Sequence, residues 1–253
     1  MTIEPGNLND QTHFKKTYRQ SSHRLKEGSL VIFDKGANSV ANTQMIRADN
    51  LQYITGKKLN KSDDKIIAMF ETYNPQVIDA ESGIRGIKIE KPNSTNYLYF
   101  SKKLQKEQLE SKARKVVREI KEAKAIQESI DKNKALPKRF RINNLLVEVD
   151  YSIQTKLIEL SEDDAVRLLE EKFINGREGF FCLKSSKNLT LTEALLTYRK
   201  KDSIEKIFNS LKNEIEIKPL RVWTNNSIYG ALLIGFIAQL FVSLIRFEIP
   251  ELK

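Results

Sequence analysis

The sequence has few of the residues that build disulfides and histidine-rich metal sites. Its 253 residues include one cysteine, Cys182, and two histidines. A lone cysteine between apolar neighbours cannot form an internal disulfide, and we interpret it as a small buried hydrophobic residue. Such sparse cysteine is typical of cytosolic proteins. We expect no secretory signal, because the first twenty residues lack an apolar run.

Glycine and proline are also scarce, at 10 and 6 residues. The chain lacks internal repeats, a Gly/Ser-rich linker, a glycine-rich phosphate loop and the Ser/His/Asp order of a hydrolase. Apolar residues make up 40% of the chain, which suits one large domain or a core with an inserted module.

Negative charge is in deficit, with 33 acidic against 43 basic residues and a net charge of +10. The basic residues are spread along the chain instead of forming a tail. This balance favours a polyanionic partner, either nucleic acid or an anionic membrane surface.

A long hydrophobic run occurs once, at residues 228–245, where Gln239 and Ser243 are the only strongly polar residues. Its eighteen residues reach the lower limit for a membrane span. A helix buried in the middle of a layered α/β domain is also apolar on every side. We interpret the run as such a buried helix, with a membrane span as the alternative.

The first region, residues 1–63, has the pattern of α/β structure. Residues 29–33 predict a buried strand that ends at Asp34, Ser39 predicts the cap of a following helix, and residues 51–55 predict the next strand. An acid at the carboxyl end of the first strand of such a unit is a recurrent site for charged ligands.

The middle region, residues 64–186, alternates apolar and polar residues at 86–90 and 96–100, which predicts half-exposed strands. A long helix rich in Lys and Glu is predicted at 101–132. Its charged surface is either simply solvated or faces DNA through four clustered cations, namely Lys112, Arg114, Lys115 and Arg118.

The last region, residues 187–253, is predicted to be helical, and Thr190 with Glu193 forms a capping-box pattern. A predicted helix at residues 195–213 aligns four polar residues within about 60° of arc. They are Tyr198, Lys201, Glu205 and Lys212. A carboxylate beside a phenol and two ammonium groups suits a phosphate-handling metal site. An ordinary exposed ion pair between Lys201 and Glu205 is the alternative.

The spacing Tyr-x2-Lys-x3-Glu-x6-Lys resembles the Tyr-Arg-Glu-Lys signature of bacterial and archaeal insertion-sequence transposases. In that family the glutamate completes an Asp-Asp-Glu triad on an RNase H-like fold. Residues 31–39 resemble the strand and turn that carry the family's second aspartate, which places that role on Asp34. Residues 5–10, 180–185 and 217–223 resemble further family segments in the same order. Lys201 departs from the usual arginine and loses its bidentate fork.

The resemblance implies an α/β fold, with a partial RNase H-like core at residues 1–63 and 187–253. A β-rich insertion containing the long charged helix, residues 64–186, interrupts it. Asp34 and Glu205 would be catalytic and would bind two Mg²⁺ or Mn²⁺ ions. Tyr198 and Lys201 would bind phosphate, and Lys212 would contact the DNA backbone.

The family's first aspartate lies on a strand upstream of the segment that residues 5–10 resemble. We therefore expect that strand to be missing and the chain to cleave little DNA by itself. The resemblance implies transposon-end DNA as a partner, a homodimer in the DNA complex, and an N-terminal fragment that completes the triad. It implies no membrane partner and a nucleoid-associated, cytoplasmic location. The alternatives are a non-catalytic DNA-binding remnant and a protein anchored in a membrane by its C-terminus.

Overall fold

The computed structural model describes residues 8–132, 147–148, 156–157, 162–202, 205–207, 209 and 224–249. The chain divides into two compact units. The first unit comprises Met1–Lys57, Ile89–Tyr97 and Leu183–Lys253, and the second comprises Lys58–Lys88 and Leu98–Cys182. The division expected from the sequence, a core of residues 1–63 and 187–253 interrupted by an insertion at 64–186, remains a prediction.

Among the described residues, six strands form one mixed sheet in the order β1-β2-β8-β5-β4-β3. These strands are β1 (Leu30–Phe33), β2 (Gln52–Lys57), β3 (Gln76–Asp79), β4 (Ile84–Lys91), β5 (Ser94–Ser101) and β8 (Phe180–Ser185). β1 pairs with β2 in parallel, and β3 pairs with β4 antiparallel. A separate antiparallel pair joins β6 (Val147–Glu148) to β7 (Lys156–Leu157). The mixed α/β architecture is compatible with an RNase H-like domain.

The described helices are α1 (Asp10–Ser21), α2 (Val40–Ala48), α3 (Asp64–Ala68), α4 (Lys102–Asp131), α5 (Glu162–Phe173), α6 (Leu191–Arg199) and α7 (Asn225–Glu248). The side chain of Ser39 caps α2 by accepting from the backbone N–H of Asn42 at 3.1 Å. Thr190 and Glu193 form the reciprocal capping box of α6. Both predicted caps are therefore confirmed, as is the long helix α4.

The core of the first unit packs against both faces of β2. On one face, α2 contacts β2, and Phe33 and Tyr53 belong to a buried cluster with residues of both α1 and α2. Successive strand residues point to opposite faces, so Ile54 faces away from Tyr53. Ile54 is fully buried, and α6 contacts β2. β1 lies at the edge of the sheet and only its Phe33 is buried, so the strand predicted to be buried is half-buried, whereas the centre of β2 is buried.

The second unit has an aromatic centre. The ring of Phe180 lies 5.2 Å from that of Phe70, edge to face, and 5.0 Å from that of Phe100. The guanidinium of Arg85 lies 5.6 Å from the centre of the Phe100 ring and donates two 2.7 Å hydrogen bonds to Glu71. α4 packs against α5 in the same unit.

One carboxylate of the second unit, that of Glu178, is buried with only 5% of its side chain exposed. It accepts hydrogen bonds from the ammonium of Lys112 and, at 3.0 Å, from the backbone N–H of Asn175. Burial alone would raise the pKa of Glu178, but these hydrogen bonds outweigh it and the pKa is lowered. Lys112 therefore neutralises a buried acid, which weakens the alternative in which Lys112 faces DNA.

The apolar helix α7 is exposed, so our interpretation of residues 228–245 as a buried helix is wrong. Exposure reaches 70% at Ile234 and 73% at Phe247, whereas Gly235 and Gln239 are buried. The more buried stripe of the helix thus carries small and polar residues, and the opposite face carries the large apolar ones. Within the described part of the chain, α7 is the one helix long and apolar enough to cross a membrane. Periodicity could not reveal this arrangement, because almost every position is apolar.

We expect Lys112→Met to lower the free energy of unfolding by about 2 kcal/mol, because the buried Glu178 would lose its counter-charge while Lys112 is itself partly solvated. Urea unfolding at neutral pH measures the change. The lowered pKa of Glu178 stabilises the fold above its unfolded pKa, and this contribution is lost as the pH falls through the folded pKa. The difference in unfolding free energy between the wild type and Lys112→Met should therefore become smaller at acidic pH.

The matched control is Arg118→Ala, which removes an exposed partner from an ion pair with Glu122 on the same helix. We expect a change below about 0.5 kcal/mol, because solvent screens such a pair. Equal losses in the two variants would contradict the role assigned to Glu178.

Candidate active site

Asp34 lies immediately after β1, at the carboxyl end of the parallel pair β1–β2. Two hydrogen bonds tie its turn to β2. The hydroxyl of Thr55 donates to the backbone carbonyl of Asp34 at 3.3 Å, and the amide of Asn38 donates to the carbonyl of Gly56 at 2.9 Å. The Asp34 side chain is 70% exposed, so a fixed backbone presents an accessible carboxylate.

Tyr198, near the end of α6, lies against this turn. Its hydroxyl donates to Oδ1 of Asp34 at 3.3 Å. A Cβ at Gly56 would lie 3.0 Å from the Tyr198 oxygen and 3.0 Å from Cβ of Lys35, so a side chain there would crowd both. Burial, followed by the charge and hydrogen bond of Asp34, raises the pKa of Tyr198. The phenol therefore stays protonated at neutral pH.

Lys201 lies between the two predicted catalytic acids. Its ammonium donates a hydrogen bond to Oε1 of Glu205 and lies 4.0 Å from Oδ1 of Asp34. Burial alone would lower the pKa of Lys201, but the hydrogen bond to Glu205 and the nearby negative charges raise it. Because a hydrogen bond spans about 3 Å, the two carboxylate oxygens lie no more than about 7 Å apart.

The helix that carries these residues differs from the prediction. α6 starts at Leu191 and ends at Arg199, with Lys200 as its C-terminal cap, and helical backbone resumes at Lys201. The single helix predicted for residues 195–213 is therefore wrong, because the break falls between Tyr198 and Lys201. Both side chains nevertheless reach the turn of Asp34. Lys212 lies outside the described residues.

The structure also brings acids to this place that the sequence argument did not assign to it. The charge of Asp202 acts on both Tyr198 and Lys201. The carboxylate of Asp10, the first residue of α1, lies against Gly36 in the turn after Asp34. Asp202 carried a signal in the sequence, since it follows Lys201 directly. Asp10 carried none, because its approach depends on how α1 packs.

The donor set around Lys201 suits a single divalent cation. Asp34 and Glu205 supply hard carboxylate oxygens, which Mg²⁺ and Mn²⁺ prefer. Both carboxylates attract the same ammonium, so the place of positive charge between them is already defined. In the described ranges, three or more acidic, histidine or cysteine side chains do not gather as a ready metal cluster. A second ion would need further donors, such as substrate oxygens.

Comparison with known protein families gives a match. The family described as Transposase DDE domain matches residues 1–241. That range includes every residue of the candidate site and the larger part of α7. No curated protein matches the chain, and no solved structure matches it.

We expect Asp34→Asn to lower the pKa of Tyr198, which would still exceed its ordinary value because burial remains. NMR titration of ¹³C-labelled tyrosine in alkaline solution measures the shift, with Tyr198→Phe to assign the signal. Tyr18 offers a matched pair in the first unit, since its hydroxyl donates to Asp49 at 2.7 Å and its pKa is also raised.

Asp49→Asn should lower the pKa of Tyr18 and leave that of Tyr198 unchanged. Asp34→Asn should lower the pKa of Tyr198 and leave that of Tyr18 unchanged. If Asp34→Asn leaves the pKa of Tyr198 unchanged, the contact between Tyr198 and Asp34 is absent in solution.

Proposed function

This chain belongs to the transposase DDE domain family, and on that premise we propose that Asp34 and Glu205 hold a divalent cation for phosphodiester chemistry at transposon ends. The family indicates a transposase-type function in DNA transposition. The observation that carries the finer proposal is the shared ammonium of Lys201, which links an acid at the end of β1 to an acid of the C-terminal segment.

A divalent cation is the appropriate cofactor for this donor set. DDE transposases generally use divalent metal ions. When bound, such an ion supplies an activated water or 3′-hydroxyl and stabilises the leaving oxygen. In this proposal the chain presents Asp34 on a fixed turn and Glu205 across from it, with both carboxylates open to solvent.

The cationic and phenolic groups would handle phosphate. Once the two carboxylates are engaged by a cation, the ammonium of Lys201 is free to meet a phosphate oxygen as a point charge. Tyr198 would donate a hydrogen bond through its protonated hydroxyl, and its raised pKa argues against a role as a base. A contact of Lys212 with the DNA backbone remains part of the proposal.

Two partners complete the proposal. Transposon-end DNA is the substrate, and a second copy of the chain joins the DNA complex. The two acids suit one ion better than the two ions expected from the sequence.

Metal binding tests the proposal without relying on activity. We expect Asp34→Asn and Glu205→Gln each to weaken Mn²⁺ binding at least about tenfold, as measured by electron paramagnetic resonance, because each removes a ligand. Lys201→Met should strengthen binding by removing the competing ammonium, and Lys201→Arg should not.

Asp202→Asn is the control, since it removes a nearby negative charge without removing a proposed ligand. If it weakens Mn²⁺ binding as much as Glu205→Gln does, the assignment of Glu205 fails. Nicking of terminal-repeat DNA with Mn²⁺ then tests the chemistry. DNA binding without Mn²⁺ binding would favour the non-catalytic remnant.

The exposed apolar face of α7 favours a second candidate, in which this helix anchors the protein in a membrane. Its 24 residues span about 36 Å, which exceeds the roughly 30 Å of a bilayer core. The family match argues against an added anchor, since it continues to residue 241. We therefore expect alkaline carbonate to release the full chain from membranes, and retention in the pellet would support the anchor.

A further inference from the structure

Four basic side chains of the first unit gather on the sheet, where the proposed chemistry does not use them. Lys184 of β8 is partly buried, and the charges that act on it are those of Lys91 at the end of β4, Lys57 at the end of β2 and Arg47 of α2. Burial first, and then these three cations, lower the pKa of Lys184. The fold therefore holds like charges together at a cost in stability.

A polar cleft of about 650 Å³ adjoins this cluster and includes Arg47 and Lys91 in its wall. Amide and hydroxyl side chains, which can donate hydrogen bonds to phosphate oxygens, form much of the remaining wall: Asn50, Gln52, Asn93, Ser94, Ser186 and Asn188. The guanidinium of Arg47 is oriented by a 3.2 Å hydrogen bond to Asn93. The carboxylates of Glu27 and Glu90 also line the cleft.

The cleft is separate from the candidate active site. It includes Gly28, ahead of β1, and Leu51, ahead of β2, so it lies at the amino ends of the parallel pair. Asp34 lies at the carboxyl end. A six-residue strand such as β2 is about 20 Å long, and Lys57 is its last residue. The basic cluster therefore extends from the cleft toward the edge of the sheet that carries Asp34.

We propose that the cleft and the cluster of Arg47, Lys57, Lys91 and Lys184 form a second DNA-binding surface that holds the phosphodiester backbone away from the chemistry. This inference rests on the proposed function, since it takes DNA as the ligand. The four cations belong to four different elements, α2, β2, β4 and β8, so their charge is spread over several positions, which fits a row of phosphates better than a single phosphate. The two cleft carboxylates would turn the backbone toward the basic side.

Lys184→Met separates this role from a structural one. Methionine keeps the length and packing of the side chain and removes the charge. We expect the variant to melt at a higher temperature than the wild type, because repulsion is relieved, and yet to bind DNA less tightly. A residue that only supported the fold would not change the two quantities in opposite directions.

The binding assay is fluorescence anisotropy of the full chain with a 20-base-pair duplex of arbitrary sequence, in EDTA and over a series of salt concentrations. We expect Lys184→Met and Lys91→Gln each to weaken binding about fivefold to tenfold and to reduce the salt slope by about one. Lys184→Arg should retain binding. Lys65→Gln, which removes an exposed charge from α3, should stay within about twofold of the wild type.

The outcomes are distinct. Unchanged affinity and salt slope in both charge-removing variants would overturn the proposal. So would a small-anion site, in which inorganic phosphate stabilises the wild type but not Lys184→Met while duplex affinity is unaffected. Because EDTA excludes metal, the duplex assay does not depend on the proposed cation site. Failure of the Mn²⁺ experiment would thus count against the proposed chemistry and leave this surface standing.

Discussion

The parallel pairing of β1 with β2 is the constraint on which the candidate site depends. It brings the carboxyl ends of both strands to one edge, where Asp34 leaves the sheet and Gly56 lies beside it. Helices on both faces of β2 hold that edge in place, and α6 delivers Tyr198 across it. Without this pairing, the acid of the first region and the polar residues near the C-terminus would have no reason to meet.

Charges of like sign gather at two places in the first unit. Acids lie around Lys201 beside the carboxyl end of β1, and cations lie around Lys184 of β8. In each place the charges shift the pKa of a neighbour: upward for Lys201 beside carboxylates, and downward for Lys184 among cations. Clusters of like charge are typical of surfaces that bind a partner of opposite charge. We propose a divalent cation at the first place and phosphate at the second.

The second unit differs in that three of its charged side chains pair with acids of the same unit. Arg85 is paired with Glu71, Arg177 with Asp64, and the buried Glu178 with Lys112. Helix α7 departs from the usual pattern of burial, since its large apolar side chains are exposed to solvent while the polar Gln239 is buried. The family match through residue 241 assigns most of that helix to the same domain as Asp34.

The sequence by itself determined the features that depend on neighbours along the chain. Capping by Ser39 and Thr190, the strand before Asp34 and the long charged helix follow from local hydrogen bonding and periodicity. The tertiary structure decided which residues meet: Asp202 joins the site, Lys184 lies among three cations, and α7 is exposed. It also broke the predicted helix at Lys200. These outcomes depend on packing between segments far apart in the chain. A sequence pattern with a period of two or 3.6 residues carries no information about such packing.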